Sequence, residues 1–334
     1  MSDGIEMNML RPRAKKLPTV TEDMWLKVDD DYRYLVEEFI SVQNHSPQTK
    51  KQYTSALRQF GWFKYNSMNN KPLYKITKRD FLRYLSYLRD DRKMSSSAIN
   101  FRKAAVSSLC NYIENVVADD DDNYRNFRNF TRGLPSIPKN RVYDKQQVTR
   151  EEYEYMMKVL EEDENYLGMA WLATAFLVGA RRSEIIQFKT EMLDYEIPEG
   201  KNYIMSHVVR GKGQSIDGKP LEFMIDLDVL PHWRKWVEVR GYDHEYIFTT
   251  KHNGKINVMS ESWANYFCSN VLSHILGRRI NAHIFKASCI TYHLDRKVPI
   301  EIVSKFIAQH ESVETTIAHY DLRDFEEERD KIFQ

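Results

Sequence analysis

Cysteine is scarce: Cys110, Cys268 and Cys289 are the only three in 334 residues, and they stand far apart. That excludes a disulfide framework or a zinc-ligand run as the organising principle, and reduced structural thiols are the expectation. No apolar run is long enough to cross a bilayer, so no membrane partner is expected. The first residues, MSDGIEMNMLRPRAKK, lack the apolar stretch of a signal peptide, so an intracellular, cytoplasmic location is expected. There is no internal repeat. A large excess of one charge is also missing, since 49 Lys and Arg face 48 Asp and Glu for a net +1. A generic nucleic-acid binder often carries a basic excess. Phosphate neutralisation is local, however, and balanced charges can segregate onto opposite faces.

With 42% hydrophobic and 29% charged residues, the chain reads as a globular protein long enough for two domains. Residues 1–30 form an arm in which Arg11, Arg13, Lys15 and Lys16 sit beside Pro12 and Pro18, either solvated or in contact with a partner. From 31 to 116 the pattern is helical. Tyr32, Leu35, Val36, Phe39 and Ile40 share one helix face. Ser46-Pro47 caps and opens a second helix carrying Tyr53, Leu57, Phe60 and Phe63. A third begins near Thr77 and bears Phe81, Tyr84, Leu85 and Leu88; a fourth, after Ser95–Ser97, bears Ile99, Val106, Leu109 and Ile113. Lys50, Lys51, Arg58, Lys64, Arg79, Arg83, Arg102 and Lys103 are assigned to the polar faces, a solvated surface unless other features say otherwise.

Residues 117–146, with the acidic run Asp119–Asp122, Gly133, Pro135, Pro138 and the basic Lys139-Asn140-Arg141, read as an interdomain linker. Helices resume at Thr149, which pairs with Glu152 in a capping-box pattern, and the apolar stretch Trp171–Val178 is expected to be buried. Between 202 and 227 the period changes. Tyr203–Val209 and Leu221–Leu227 are β-prone and flank a glycine-bearing segment, which predicts a hairpin. Helices are expected again over 260–275, 283–296 and 300–309. A second domain at 147–320 and a tail at 321–334 complete the chain. The fold class is mainly α with a small β-sheet.

Several short motifs stand in a fixed order: Gly179-Ala180-Arg181-Arg182-Ser183-Glu184, Gly211-Lys212-Gly213, His283-Ile284-Phe285-Lys286, His310, and Thr315-Thr316-Ile317-Ala318-His319-Tyr320. Each alone is ordinary. Gly211-Lys212-Gly213 is not a phosphate-binding P-loop, because the upstream glycine and the Lys-Ser/Thr pair are missing. No clustered carboxylate/His pattern suggests a metal-dependent nuclease, and neither metal nor cofactor is expected.

In this order and spacing the motifs resemble the active site of the tyrosine recombinases, the class of phage integrases, Cre and the Xer proteins. The order Ser46, Thr49, Tyr53, Leu57, Phe60 is likewise similar to the first core-binding helix of phage-type integrases. The resemblance implies a two-domain, C-shaped DNA clamp with a helical core-binding domain at 31–116. It also implies strand exchange through a 3′-phosphotyrosyl intermediate and a Holliday junction, in a homotetramer on two duplexes, without metal or ATP. Accessory DNA-bending or directionality factors and a prophage or mobile-element setting go with it.

The resemblance makes Tyr320 the nucleophile and Arg181 the bidentate phosphate clamp, with Glu184 orienting it. Lys212 is the acid for the departing 5′-oxygen, with Lys219 in the same hairpin as its alternative. His283 and His310 attend the phosphate or the nucleophile. The chain departs from the family twice. Lys286 stands where arginine is usual, keeping the charge without the fork, and Gln309 replaces the glycine before His310. Arg182 is expected to pair with an acid instead. Lys50, Lys51, Arg58, Arg79, Arg83, Arg102, Lys103, Lys139 and Arg141 become candidate DNA contacts. The tail carries Phe325, Ile332 and Phe333; it either docks on a neighbouring protomer or stays solvated. Rival readings are a type IB topoisomerase-like nicking-closing enzyme and a recombinase-derived DNA-binding regulator.

Overall fold

A computed structural model describes residues 17–135, 137, 146–213 and 218–323. Most of the arm, the candidate contacts Lys139 and Arg141, and the tail beyond Arg323 lie outside the described residues. The chain divides into two compact units between Asp144 and Lys145. No helix among the described residues is long and apolar enough to cross a membrane.

The first unit is helical. A short turn, α1 (Glu22–Trp25), precedes α2 (Asp30–Val42), α3 (Pro47–Ser67), α4 (Lys78–Ser86) and α5 (Ser96–Asn115). Their starts follow from local chemistry. Ser46 accepts from the Thr49 N–H ahead of Pro47, Thr77 and Asp80 form a reciprocal capping box, and Ser95 accepts from the Ala98 N–H. Tyr32, Leu35, Phe39, Leu57, Phe60, Phe81, Tyr84, Ile99 and Leu109 make the core.

Two features differ from the sequence reading. Lys64 is not on the polar face. It falls four residues after Phe60 on the buried side of α3, and its ammonium lies 4.1 Å from the centre of the Tyr32 ring. Nor is the segment after Asp119 wholly a linker. Tyr124, Phe127 and Phe130 are buried, with the Phe130 ring 5.5 Å from that of Phe81. Three aromatics at three-residue spacing, hidden among Asp, Asn and Arg, extend the first core.

The second unit opens on α6 (Arg150–Glu162), with Thr149 and Glu152 forming the expected box. Next, α7 (Tyr166–Ala173) runs into a π-helical turn, Thr174–Val178, and then α8 (Arg182–Ile185). All residues from Gly168 to Ala180 are buried. The predicted hairpin is present but broken. Strands β1 (Tyr203–Met205) and β4 (Met224–Asp226) pair through Ile204↔Ile225, while β2 (Val209–Gly211) and β3 (Lys219–Leu221) pair through Val209↔Leu221. Between the two ladders the Ser206 hydroxyl accepts from the Phe223 N–H at 2.8 Å.

Beyond α9 (Leu230–Val239), a hairpin of β5 (Thr249–His252) and β6 (Lys255–Val258) turns through Asn253-Gly254, both left-handed. That dipeptide is a strong hairpin signal that the sequence reading passed over. The helices α10 (Glu261–Tyr266), α11 (Ser273–Leu276), α12 (Ala282–Asp295), α13 (Ile300–Ile302) and α14 (Val313–His319) complete the described fold. The expected helices at 260–275 and 300–309 each contain a π-helical turn, Phe267–Leu272 and Val303–Ala308.

Gly179 ends the Thr174–Val178 turn at φ +68°, and a Cβ there would stand 2.9 Å from the Cys289 sulfur of α12. Gly200 has a similar φ of +70° with no atom near its Cβ position. Gly200→Ala therefore carries only the left-handed penalty, about 1 kcal/mol. Gly179→Ala adds a backbone shift against α12 and should cost about 2–3 kcal/mol in all. Urea denaturation of the two variants checks this; equal losses would remove the role of close packing.

Candidate active site

Arg181 is the residue before α8, and Glu184 is three residues on. The Glu184 carboxylate accepts from the Arg181 backbone N–H at 2.7 Å and from its guanidinium at 2.9 Å. Glu184 is fully buried, while the Arg181 side chain keeps 26% exposure. Burial works to lower the Arg181 pKa, but the charge and hydrogen bond of Glu184, then the Tyr320 phenol, leave it raised. One edge of the fork is thus fixed by Glu184, and the Tyr320 phenol also bonds the guanidinium. Arg182 turns away, its guanidinium bonded to Glu261 at 2.8 Å and to Asn265.

Lys286 and His283 lie one turn apart on α12, which packs against the Thr174–Val178 turn at Gly179 and Cys289. Lys286 is 3% exposed, and its Nζ has no hydrogen-bond partner among the described residues. Burial first, and the Arg181 charge second, bring its pKa down to about 8, against the opposing pull of Glu184. His283 is exposed. Packing around its ring, then the guanidiniums of Arg182 and Arg181, hold its pKa below the usual imidazole value, and Lys212 acts in the same direction.

The Val303–Ala308 turn ends at Gln309, which takes the left-handed φ of +54° usually left to glycine. The Gln309 amide donates to the Glu222 carbonyl at 2.7 Å, which offsets the strain and anchors the loop that presents His310. His310 Nδ1 meets Thr316 Oγ1 at 2.9 Å, and that hydroxyl donates onward to Ser304 Oγ at 2.9 Å. With the threonine proton committed to Ser304, Nδ1 is the protonated nitrogen and Nε2 carries the lone pair. Nε2 is buried without a partner among the described residues. Burial, then the charges of Lys286, Arg181 and Lys219, lower the His310 pKa to about 4. The ring is neutral at pH 7.

Tyr320 follows α14, its ring centroid 4.5 Å from that of His310 and its phenol against Arg181. Arg181, Glu184, Lys286, His310 and Tyr320 are thereby brought into one cluster, with His283 on its exposed side. Lys212 is exposed beyond the end of β2; the hairpin residues after Gly213, up to Asp217, are outside the described set. Lys219, across the hairpin, reaches the Gln309 carbonyl at 3.4 Å and Glu311 at 3.7 Å. Sequence reasoning passed over the roles of Ser304, Thr316 and Thr291, because a hydroxyl that orients another group leaves no spacing signature.

In the first unit, Lys51, Arg58 and Arg102 line a cleft of about 500 Å³ with Thr54, Ser55 and Gln59. Arg58 is partly committed, paired with Glu22 at 2.5 Å and lying over the Trp25 ring at 5.1 Å. Arg102 donates to the Ala98 carbonyl, and Lys50 reaches the Ser41 carbonyl at 3.4 Å. Lys103 is partly exposed, Arg79 is exposed, and Arg83 is exposed 4.0 Å from Asp80.

Three comparisons bear on this arrangement. Residues 33–118 match the phage integrase N-terminal SAM-like domain. Over all 334 residues, covering 100% of both chains, the sequence is 63% identical to the SPbeta prophage-derived recombinase-like protein YomM of Bacillus subtilis strain 168. The fold matches that of the XerH site-specific recombinase bound to its palindromic difH substrate, with a TM-score of 0.64 at 15% identity over 96% of this chain and 98% of that one. It also matches the Tn1549 transposon integrase in complex with transposon right-end DNA, with a TM-score of 0.64 at 14% identity over 90% and 98% of the two chains.

The buried amine of Lys286 makes a stability prediction. Its folded pKa of about 8 lies below the ordinary lysine value of 10.5. The cost of charging it is therefore fully present below pH 8 and fades as pH rises towards 10.5. Lys286→Met should stabilise the protein at pH 7 by about 2–3 kcal/mol, seen as a higher Tm. The gain should shrink when the melts are repeated at pH 9.5. A gain independent of pH would assign the effect to packing.

Proposed function

The chain belongs to the tyrosine recombinase, or phage integrase, family, and from that premise we propose that it cleaves and rejoins DNA at specific sites through a 3′-phosphotyrosyl intermediate. The observation that carries this reading is the convergence of Tyr320, Arg181, Lys286 and His310 in one partly buried cluster. A phenol beside two cations, with no counter-anion among the described residues beyond the already engaged Glu184, suits an incoming phosphate diester.

The Tyr320 oxygen attacks the scissile phosphorus in line with the 5′-oxygen. As the O–P bond to tyrosine forms and the P–O5′ bond breaks, negative charge builds on the non-bridging oxygens. The donors of Arg181 not held by Glu184 answer that charge, a contribution of about 3 kcal/mol for one preorganised donor. Lys286 adds a point charge from α12; lacking a planar fork, it fixes orientation less than arginine does. Lys212 supplies the proton to the departing 5′-oxygen, with Lys219 as the alternative. His283 and the Nε2 of His310 accept or share the phenol proton. The tyrosyl ester conserves the energy of the broken bond, so a second 5′-hydroxyl reseals it without ATP.

DNA would be held by the first unit through Lys50, Lys51, Arg79, Arg83, Arg102, Lys103 and Arg58, the last after it yields its contact with Glu22. Lys139 and Arg141 complete the proposed set. XerH and the Tn1549 integrase were both solved bound to DNA. Exchange between two duplexes in a tetramer is the expected use of the chemistry. Relaxation of one supercoiled circle by a monomer would instead indicate topoisomerase-like action. A second reading, DNA binding without cleavage, draws on Lys286, which brings a point charge without a planar fork where the family has arginine.

The test is covalent trapping on nicked suicide duplexes from the DNA flanking the gene, with EDTA present. The native chain should form a protein–DNA adduct, and Tyr320→Phe should bind with unchanged affinity and form none. An adduct in the phenylalanine variant would overturn the assignment. Binding without any adduct in the native chain would favour the regulator.

A further inference from the structure

A hydroxyl in the interior of a helix ordinarily bonds the carbonyl four residues back. Thr174 does so to Ala170 at 2.7 Å, and Ser288 to Ile284 at 3.0 Å. Thr291 does not. Fully buried on α12, it donates to the Tyr320 carbonyl at 3.2 Å and accepts from the Leu322 N–H at 3.0 Å. One side chain thus satisfies two backbone groups that bracket Asp321, the residue after Tyr320, across 29 and 31 positions of sequence.

We propose that Thr291 is a positioning residue that clamps the backbone immediately after Tyr320, on both sides of Asp321, and so fixes the nucleophile against the helix that carries Lys286. The inference rests on the reading of Tyr320 as nucleophile. Its own content is the device that sets where the phenol stands. Upstream, the chain is already held by α14, whose Thr316 carbonyl accepts from the Tyr320 and Asp321 N–H groups at 2.9 and 3.0 Å. Downstream, Leu322 is tied to α12 through Thr291. Without that tie the residue after the helix end has rotational freedom about its own φ and ψ. A phenol several bonds from the backbone magnifies such freedom, and a displacement near 1 Å is enough to slow an in-line attack by about 100-fold. Thr291 lies five residues beyond Lys286 on the same helix. The clamp therefore references the nucleophile and the cation to one rigid element.

The variants are Thr291→Val, which keeps the shape and removes both bonds, and Thr291→Ser, which restores the hydroxyl. In single-turnover trapping, the valine variant should form adduct roughly tenfold more slowly while its DNA affinity stays within about twofold. The serine variant should recover most of the rate, which a purely volumetric role would not produce. Amide hydrogen exchange in the free protein gives a second readout that needs no chemistry. Leu322 should lose protection in the valine variant and regain it with serine, while the amides of α6 and α12 stay protected and so report an intact fold. An unchanged cleavage rate in Thr291→Val, or a serine variant as slow as valine, would overturn the proposal. Should the native chain form no adduct at all, the cleavage reading falls and the exchange arm alone decides the clamp: loss and recovery at Leu322 uphold it, and unchanged exchange refutes it.

Discussion

The arrangement turns on one buried carboxylate. Glu184 has no solvent access, so its charge is tolerable only because the Arg181 N–H and guanidinium both bond it. Once Glu184 is satisfied by Arg181, nothing among the described residues neutralises Lys286. The cluster is left with more cationic than anionic charge and with His310 held neutral. Such a site is costly without an anion. Under the proposed function, that cost is the same physical quantity that would favour binding of a phosphate diester and lower its transition state.

Backbone geometry delivers these groups in a repeated way. Two helices, at Thr174–Val178 and Val303–Ala308, loosen into π-helical turns and end in a left-handed residue, Gly179 or Gln309. Each then releases a functional side chain within two residues, Arg181 or His310. π-Helical turns concentrate at functional positions because they redirect a chain without breaking a helix outright. Between the two, α12 lies against the first turn through Cys289 and against the Tyr320 segment through Thr291. The chemistry of the site is spread over more than a hundred residues of sequence, and α12 is the ruler that collects it.

Much of this was legible in the residues. Helix starts at Ser46, Thr77, Ser95 and Thr149 follow from caps, which are local and so survive in sequence. The motifs around Arg181, Lys286, His310 and Tyr320 are ordinary one by one; it was their resemblance, in order and spacing, to the tyrosine recombinases that implied one cluster. What was not legible was relational. Lys64 looked polar until the phase of α3 placed it over Tyr32. Tyr124, Phe127 and Phe130 were obscured by the acidic run preceding them. The left-handed Gln309 is made acceptable by a carbonyl 87 positions away, and no spacing rule reports such a partner. The hydroxyls of Thr291, Ser304 and Thr316 were invisible for the same reason.

The central claim, that Arg181 acts by neutralising charge on the scissile phosphate, is tested most directly by removing that charge from the substrate. Cleavage rates of the native chain and of Arg181→Ala are compared on a phosphate substrate and on one with a methylphosphonate at the scissile position, where one charged oxygen becomes a methyl group. The account predicts a large penalty for Arg181→Ala on phosphate that shrinks at least about tenfold on methylphosphonate. An equal penalty on both substrates would contradict it, and would assign Arg181 to holding the fold of α8 rather than to the chemistry.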